Sequence, residues 1–135
     1  MDTHTLQHEQ SKSLGRVAAK LFFAITDQWE LNENQRLRLA GQSSRSTLHS
    51  WRKKVDAGQD LTLSPDTLER LSYLAGIYKA LQIIFPTEEQ WRSWVRKPNR
   101  DFGGDSALQH MLGGRVMDLA DVRRYLDHWR GGAFE

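Results

Sequence analysis

The chain lacks the residues and segments on which several classes of protein depend. It contains no cysteine, which excludes disulfide bonds and thiolate metal sites. It has no apolar run of about 18 residues and no signal-peptide pattern at its N-terminus. We therefore expect a cytoplasmic protein without a membrane partner.

A recognisable set of catalytic residues is also missing. His4 and His8 are four residues apart, but they lie in a polar N-terminal segment without a carboxylate to orient them as metal ligands. The other histidines are isolated, and no serine lies in a nucleophile-elbow sequence. We predict that the protein is not an enzyme and uses no metal or cofactor.

Positive charge is concentrated in one part of the chain. The formal net charge is only +2, which by itself does not indicate a nucleic-acid partner. Between Leu31 and Lys54, however, six basic residues accompany one acidic residue, whereas from Leu61 to the end ten basic residues accompany ten acidic ones. This local excess is the electrostatic pattern that a polyanion-binding surface requires.

The spacing of apolar residues predicts an all-α protein of about seven helices and no strand. Residues 1–13 are polar and without periodicity, so we expect a flexible tail there. A first amphipathic helix follows over about 14–29. A second, ENQRLRLA, ends at Gly41, and a third begins after Ser43 or Ser44. Ser64 and Pro65 begin a fourth, which Pro86 stops.

The run LRLAGQSSRSTLHSWRKK is typical of a helix-turn-helix. Ala40 allows two helices to approach closely, Gly41 forms the turn, and Leu48 and Trp51 dock the next helix. In such motifs the start of the second helix contacts base edges, so Arg45 suits a guanine. The predicted DNA contacts are Ser44, Arg45, Ser46, His49, Arg52, Lys53 and Lys54. The alternative is a solvated basic face on an ordinary helical bundle.

The fourth predicted helix is apolar on most of its sides. Between Arg70 and Pro86 its only charged residue is Lys79. Such a helix must be buried on most sides, so it is either a central helix or a dimer surface. As the dimer contacts we take one of its two apolar stripes, which consists of Leu74, Ile77, Leu81 and Ile84.

The segment FGGDSALQHMLGGR resembles a phosphate loop at first sight. A P-loop needs a Lys and a Ser or Thr after its final glycine and a strand before it, whereas Arg115 and Val116 follow here. A short helix fits better, with Asp105 or Ser106 as its cap and Gly113 and Gly114 as its end. A helix of one or two turns must dock on a neighbour, and we expect that neighbour to be the following helix, which Asp118 would cap.

The order of motifs in the last 60 or so residues resembles the Xre/MbcA/ParS antitoxins of bacterial toxin–antitoxin operons. These motifs are, in order, Trp-x-x-Trp, Pro98-Asn99, Phe102-Gly103-Gly104-Asp105-Ser106-Ala107-Leu108, the glycine after the short helix, Asp118-Leu119, Val122-Arg123-Arg124-Tyr125-Leu126 and Arg130-Gly131-Gly132. The helix-turn-helix run matches the N-terminal half of that family. Ala107 departs from the family, since many relatives have proline there.

The resemblance implies a binding protein with two partners. One is a toxin of the RES type, encoded by the adjoining gene, which consumes or transfers parts of NAD; the other is operator DNA. The antitoxin would dimerise, cover the entrance of the toxin's active site and repress its own operon. On this basis residues 14–73 form the helix-turn-helix domain, and residues 74–135 form a toxin-binding and dimerisation domain.

The last helix and the C-terminal tail are the expected toxin-facing surface. If Leu119, Val122, Leu126 and Trp129 face inward, the opposite face and tail offer Arg123, Arg124, Asp127, Arg130, Phe134 and Glu135. Gly131 and Gly132 would free the chain so that GGAFE enters or caps the toxin's cleft, and the alternative for this segment is a disordered terminus. The competing function is a helix-turn-helix transcription regulator whose C-terminal half only dimerises or senses a ligand.

Overall fold

The computed structural model describes the backbone of residues 3–132 and the side chains of residues 10–130, and these residues form an all-α protein without a β-strand. The helices are α1 (Thr3–Gln28), α2 (Glu33–Ala40), α3 (Arg45–Asp56), α4 (Pro65–Ile84), α5 (Glu88–Ser93), α6 (Ala107–Met111) and α7 (Val116–Gly132). Two short 3₁₀ turns, Trp94–Arg96 and Arg100–Phe102, lie between α5 and α6. None of the described helices is long and apolar enough to cross a membrane.

Several helix ends lie where their capping residues predict them. Gly41 adopts a left-handed conformation with φ of 68° after α2, which a residue with a Cβ adopts only with strain. The Ser64 hydroxyl accepts a hydrogen bond from the Thr67 N–H, and Pro65 begins α4. Thr87 and Gln90 form a reciprocal capping box at the start of α5. The predicted starts of α4 and α5 and the predicted end of α2 are therefore confirmed.

The predicted flexible tail over residues 1–13 is wrong from Thr3 onward, because α1 begins there. This polar first part lacks apolar periodicity, but extending an existing helix costs far less than starting a new one. The loop before α4 also holds it, since the Leu61 N–H donates to the Lys12 carbonyl. Gly15 permits this approach, because a Cβ there would lie 2.0 Å from the Leu61 carbonyl oxygen. The side chains of His4 and His8 lie outside the described residues.

The fourth helix is a central helix, since α4 packs against both α1 and α7. Leu74, Ile77 and Leu81 are completely buried within the single chain, and Ile84 is half-buried against the same core. The prediction that these four residues form a dimer surface is therefore wrong. The physical reason is that α1 and α7 pack against α4 on two sides and cover this stripe, so it is not available to a second copy.

The short helix α6 forms as predicted and docks on α7. Ser106 and Gln109 form its capping box, and Leu108 and Met111 are buried. The turn Leu112–Gly114 ends it, with φ of 85° at Gly114. A phosphate loop is thereby ruled out at this position.

The boundaries of α7 differ from the expected ones. The helix begins at Val116, so Asp118 lies in its first turn rather than at the cap position. The described backbone is still helical at Gly131 and Gly132, so the expectation that these glycines free the chain is wrong. Phe134 and Glu135 lie outside the described residues.

Candidate functional site

The helix-turn-helix geometry is formed by α2, residues 41–44 and α3. Leu48 and Trp51 anchor α3, with the Trp51 ring edge-on to Phe22 of α1 at 6.4 Å between centroids. Ser44 lies just before α3, and the other six predicted DNA contacts lie on the helix itself. Of these seven, Ser44, Arg45, Ser46, His49 and Lys53 are exposed, whereas Arg52 and Lys54 are half-buried.

Two of the predicted DNA contacts are engaged by acidic residues of the same chain. The Arg52 guanidinium lies 4.2 Å from the centroid of the Phe23 ring and 3.5 Å from Asp27. His49 Nε2 lies 3.2 Å from Glu33. By contrast, Lys53 and Lys54 form no salt bridge with any described residue, and Arg45 donates only to the Asn34 amide oxygen, at 3.2 Å. The uncompensated positive charge of α3 therefore comes from Arg45, Lys53 and Lys54.

Two arginines of the basic segment bind groups of the same chain, so they are less available to a polyanion. Arg36 pairs with Asp27 and donates to the buried Thr26 hydroxyl at 2.9 Å. Arg38 donates to the Leu112 carbonyl at 2.9 Å and to the Gly113 carbonyl at 3.1 Å. Their positive charge was part of the predicted footprint. The sequence could not show this, because the partners of Arg38 are more than 70 residues away.

The turn Leu112–Gly114 is held by arginines from two helices of the N-terminal half. Arg38 of α2 binds the carbonyls of Leu112 and Gly113, and Arg70 of α4 donates to the Gly114 carbonyl at 2.9 Å. A Cβ on Gly114 would lie 2.7 Å from the Arg38 guanidinium. Both arginines thus tie the helix-turn-helix to the α6–α7 unit, and we call this contact the arginine clamp.

The arginines of α7 have unequal surroundings. Arg123 is half-buried, pairs with Asp127 at 3.0 Å and packs so closely on α4 that a Cβ at Gly76 would lie 1.9 Å from its guanidinium. The prediction that Arg123 points outward is therefore wrong. Arg124 is exposed and pairs with Asp121 at 2.7 Å, and Arg130 is half-buried.

Trp129 contradicts the predicted inward stripe of α7, because 56% of its surface is exposed. It is the outermost member of a cluster that the sequence analysis missed, which we call the aromatic edge. Tyr125 lies 6.4 Å from Trp129, 6.1 Å from Trp94 and 5.1 Å from Phe102 between ring centroids, and Phe85 lies 6.5 Å from Trp94. The Tyr125 hydroxyl donates to Asp101 at 2.7 Å. No local sequence signal marks this cluster, because its members come from four separate segments.

His110, Asp118 and Asp121 come together where α6 meets α7, close enough that their ligand atoms lie within 4.8 Å of one another. Each of these side chains already has a protein partner. Asp118 accepts from the Arg115 backbone N–H at 3.1 Å and its guanidinium at 2.8 Å, and Asp121 bonds to His110 at 2.9 Å. These contacts explain the cluster as a hydrogen-bonded network at a helix start, and we assign no metal to it.

The same contacts lower the pKa of both carboxyl groups. For Asp118 the main cause is the hydrogen bond from the Arg115 side chain, which outweighs the effect of burial. For Asp121 it is the hydrogen bond to His110. A carboxyl with a lowered pKa stabilises the folded state fully above its ordinary pKa of about 3.9, and this contribution disappears as the pH falls through the folded value.

Replacing Asp118 with Asn is therefore expected to destabilise the protein by about 1–2 kcal/mol at pH 7. The difference between the two proteins should shrink as the pH is lowered below the ordinary carboxyl pKa of about 3.9, because the wild-type carboxyl takes up its proton as the pH falls through the lowered pKa of the folded state. Urea unfolding at pH 7 and in this acid range measures this effect. Asp105→Asn, at an exposed position of the preceding loop, is the control; a destabilisation by D118N that does not change with pH would contradict the assignment.

Comparison with known proteins yields two matches that together cover most of the chain. Residues 9–76 match the antitoxin Xre-like helix-turn-helix domain, and residues 80–132 match the antitoxin Xre/MbcA/ParS C-terminal toxin-binding domain. The chain belongs to the Xre/MbcA/ParS antitoxin family. The antitoxin is also 48% identical over 124 residues to the uncharacterized protein y4oB of Sinorhizobium fredii, which covers 90% of this chain and 92% of that relative.

The two matched domains support a toxin and DNA as the partners of the antitoxin, and both describe binding modules rather than a known enzyme family. The α2–α3 unit lies within the first match, whereas the aromatic edge, the α6–α7 unit and all described toxin-facing candidates lie within the second. The arginine clamp joins residues of the first domain to residues of the second.

Proposed function

We propose that this antitoxin neutralises an NAD-consuming toxin of the RES type, encoded by the adjoining gene, by binding over its active site. In the same proposal it represses its own operon through α3. The observation that carries the proposal is the presence of a DNA-reading domain and a toxin-binding domain in one chain, with the arginine clamp between them. One folded unit would then bind both the toxin and the operator.

The proposed toxin contacts on α7 are Arg124, Asp127 and Arg130, followed by Phe134 and Glu135 in the tail. Arg124 and Asp127 are exposed, and Arg130 lies in the last turn of α7. Arg123 has a different role in this proposal. Its contacts with Gly76 and Asp127 make it a positioning residue that fixes α7 on α4.

For operator binding we propose different roles for the residues along α3. Arg45, near the helix start, contacts a base edge, while Lys53 and Lys54 neutralise phosphates. Arg52 and His49 are held by Asp27 and Glu33, so they contribute orientation more than charge. Ser44 and Ser46 lie at the helix start, where their hydroxyls bond to each other at 2.7 Å, and they complete the contact surface.

We further propose that the antitoxin is a homodimer formed through α1 rather than through the buried stripe of α4. Leu14, Val17 and Leu21 are 57%, 54% and 36% exposed and form one stripe on α1. The stripe borders a groove of about 470 Å³ lined by α1 and α4. Lys20 of α1 and Glu69 of α4 are exposed in this region, which gives a second copy charges of both signs to pair with.

Leu21→Glu is expected to convert a dimer into a folded monomer, because it places a charge in the apolar contact between copies. Light-scattering mass over a range of concentrations and far-UV circular dichroism measure the two properties. Met117→Glu, at a 66% exposed position of α7 outside the stripe, is the control and should leave the mass unchanged. If L21E remains dimeric, the contact lies elsewhere.

Expression of the adjoining gene with and without the antitoxin tests the proposed function. We expect the gene alone to stop growth and lower intracellular NAD, and co-expression to restore both. If growth stops without loss of NAD but is restored by the antitoxin, the partner is a toxin of another type. If the neighbour is harmless or is not neutralised, the helix-turn-helix match favours a transcription regulator.

A further inference from the structure

The aromatic edge lies at the end of the C-terminal domain where α4 and α7 finish together. Arg70 of α4 contacts Gly114, just before α7, and Gly76 of α4 contacts Arg123 of α7. The order of these contacts shows that the two helices run in the same direction. Ile84 ends α4 and Gly132 ends α7, each about two helical turns after this second contact, so both helices end on the same side of the molecule.

Trp129 lies on the same side of α7 as residues that are buried earlier in the helix. Leu119, Val122 and Leu126 of this side are 2% exposed or less, whereas Trp129 is 56% exposed. Exposed tryptophans with one ring edge supported by a neighbouring aromatic group are characteristic of binding hot spots, because little side-chain freedom is lost on contact. Ile83, at the end of α4, is also 54% exposed.

We propose that the aromatic edge, with Trp129 as its anchor, is the surface on which the toxin docks. This inference rests on the proposed function and adds to it a contact at the end of α7, on the side of the helix away from Arg124 and Asp127. All five rings lie within residues 80–132, the stretch that matches the toxin-binding domain. Arg130 follows Trp129 directly in α7, so a toxin seated here also reaches Arg130.

A second copy of this chain and DNA fit the surface less well. Asp101 accepts a hydrogen bond from the Tyr125 hydroxyl and so places an acidic group at the edge, which disfavours a polyanion there. The exposed apolar stripe of α1 belongs to the other matched domain and offers a second copy a separate contact. The Tyr125–Asp101 bond also fixes the ring on which Trp129 packs, so the anchor is held in place before the toxin arrives.

Trp129→Ala tests the inference in the full-length antitoxin with the purified product of the adjoining gene. We expect the dissociation constant of the complex to rise about 30-fold or more, the effect of truncating a hot-spot residue. Trp129→Phe should restore part of the affinity, because it returns an aromatic ring to the contact. Met117→Ala is the matched control, since Met117 is 66% exposed on the same helix but a third of a turn away around it.

The possible results distinguish a failure of the proposed docking surface from a failure of the proposed function. If the unchanged antitoxin binds the toxin and W129A binds equally well while retaining its circular dichroism spectrum, the aromatic edge is not the docking surface and the antitoxin function stands. If removal of residues 133–135 abolishes binding and W129A does not affect it, the tail alone makes the contact, which also overturns the inference. If the unchanged antitoxin does not bind the neighbouring product at all, the proposed function itself fails.

Discussion

Ile77→Glu is expected to leave the chain unfolded or with only a small fraction of its native stability. Ile77 is completely buried in the middle of α4, between α1 and α7. Glutamate there would bury a carboxyl group without a partner and remove the apolar contacts of isoleucine. Such a change costs about 4–5 kcal/mol or more, against a total stability of about 5–15 kcal/mol for a domain of this kind.

Far-UV circular dichroism and urea unfolding measure the result. Ile83→Glu is the matched control, because it makes the same substitution in the last turn of the same helix at a position that is 54% exposed. We expect I83E to lie within about 0.5 kcal/mol of the unchanged protein. A folded, monomeric I77E would contradict the account, because it would show that this stripe is covered by a second copy and not by α1 and α7.

Removal of the uncompensated charge of α3 is expected to have the second large effect. The triple variant Arg45→Ala, Lys53→Ala and Lys54→Ala should lose operator affinity by at least about 100-fold at physiological salt, since each contact contributes to phosphate neutralisation or base recognition. Loss of two phosphate contacts per chain should also reduce the slope of log K against log salt concentration by about 1.8 for each chain bound, and so by about 3.6 for the proposed dimer. Fluorescence anisotropy with operator DNA at several salt concentrations measures both quantities.

A control for total charge is available elsewhere on the surface. Lys97 and Arg100, between α5 and α6, are exposed, and their replacement by Ala changes net charge without touching α3 or the proposed dimer contact. We expect the Lys97→Ala and Arg100→Ala double variant to keep nearly all its operator affinity. If it loses as much as the α3 variant, binding depends on overall charge and α3 is not the reader.

Local signals were sufficient to predict the end of α2, the starts of α4 and α5, and the short helix α6. Ser64, Thr87 and Gly41 cap helices through groups that lie within three residues along the chain, so their roles depend little on the tertiary fold. The family resemblance also followed from local motifs, and the comparisons confirm it. The helix-turn-helix could be predicted for the same reason, because its turn and its docking residues are close in sequence.

Contacts between distant segments could not be predicted in the same way. Arg38 looks like part of a polyanion-binding footprint until the Leu112 carbonyl is known to lie 2.9 Å from it. Trp129 follows the buried spacing of α7 but is exposed, because periodicity indicates a face and not where the neighbouring elements end. The stripe of α4 that contains Leu74, Ile77 and Leu81 posed the same difficulty, since only the packing of α1 and α7 shows that it is internal.

The arginine clamp gives these separate observations a common consequence. Residues of α2 and α4 hold the turn that precedes α7, and α7 carries Trp129 and the proposed toxin contacts. The clamp therefore connects the helix that carries the proposed toxin contacts with α2, which lies directly before the turn to α3.

Titration of the purified toxin with the purified antitoxin tests the central claim most directly. The measured quantity is the rate of NAD consumption by the product of the adjoining gene as the antitoxin concentration is raised. We predict a linear fall to zero at a fixed molar ratio, as tight stoichiometric binding over the active site requires. An unchanged rate of NAD consumption in the presence of excess folded antitoxin would contradict the account.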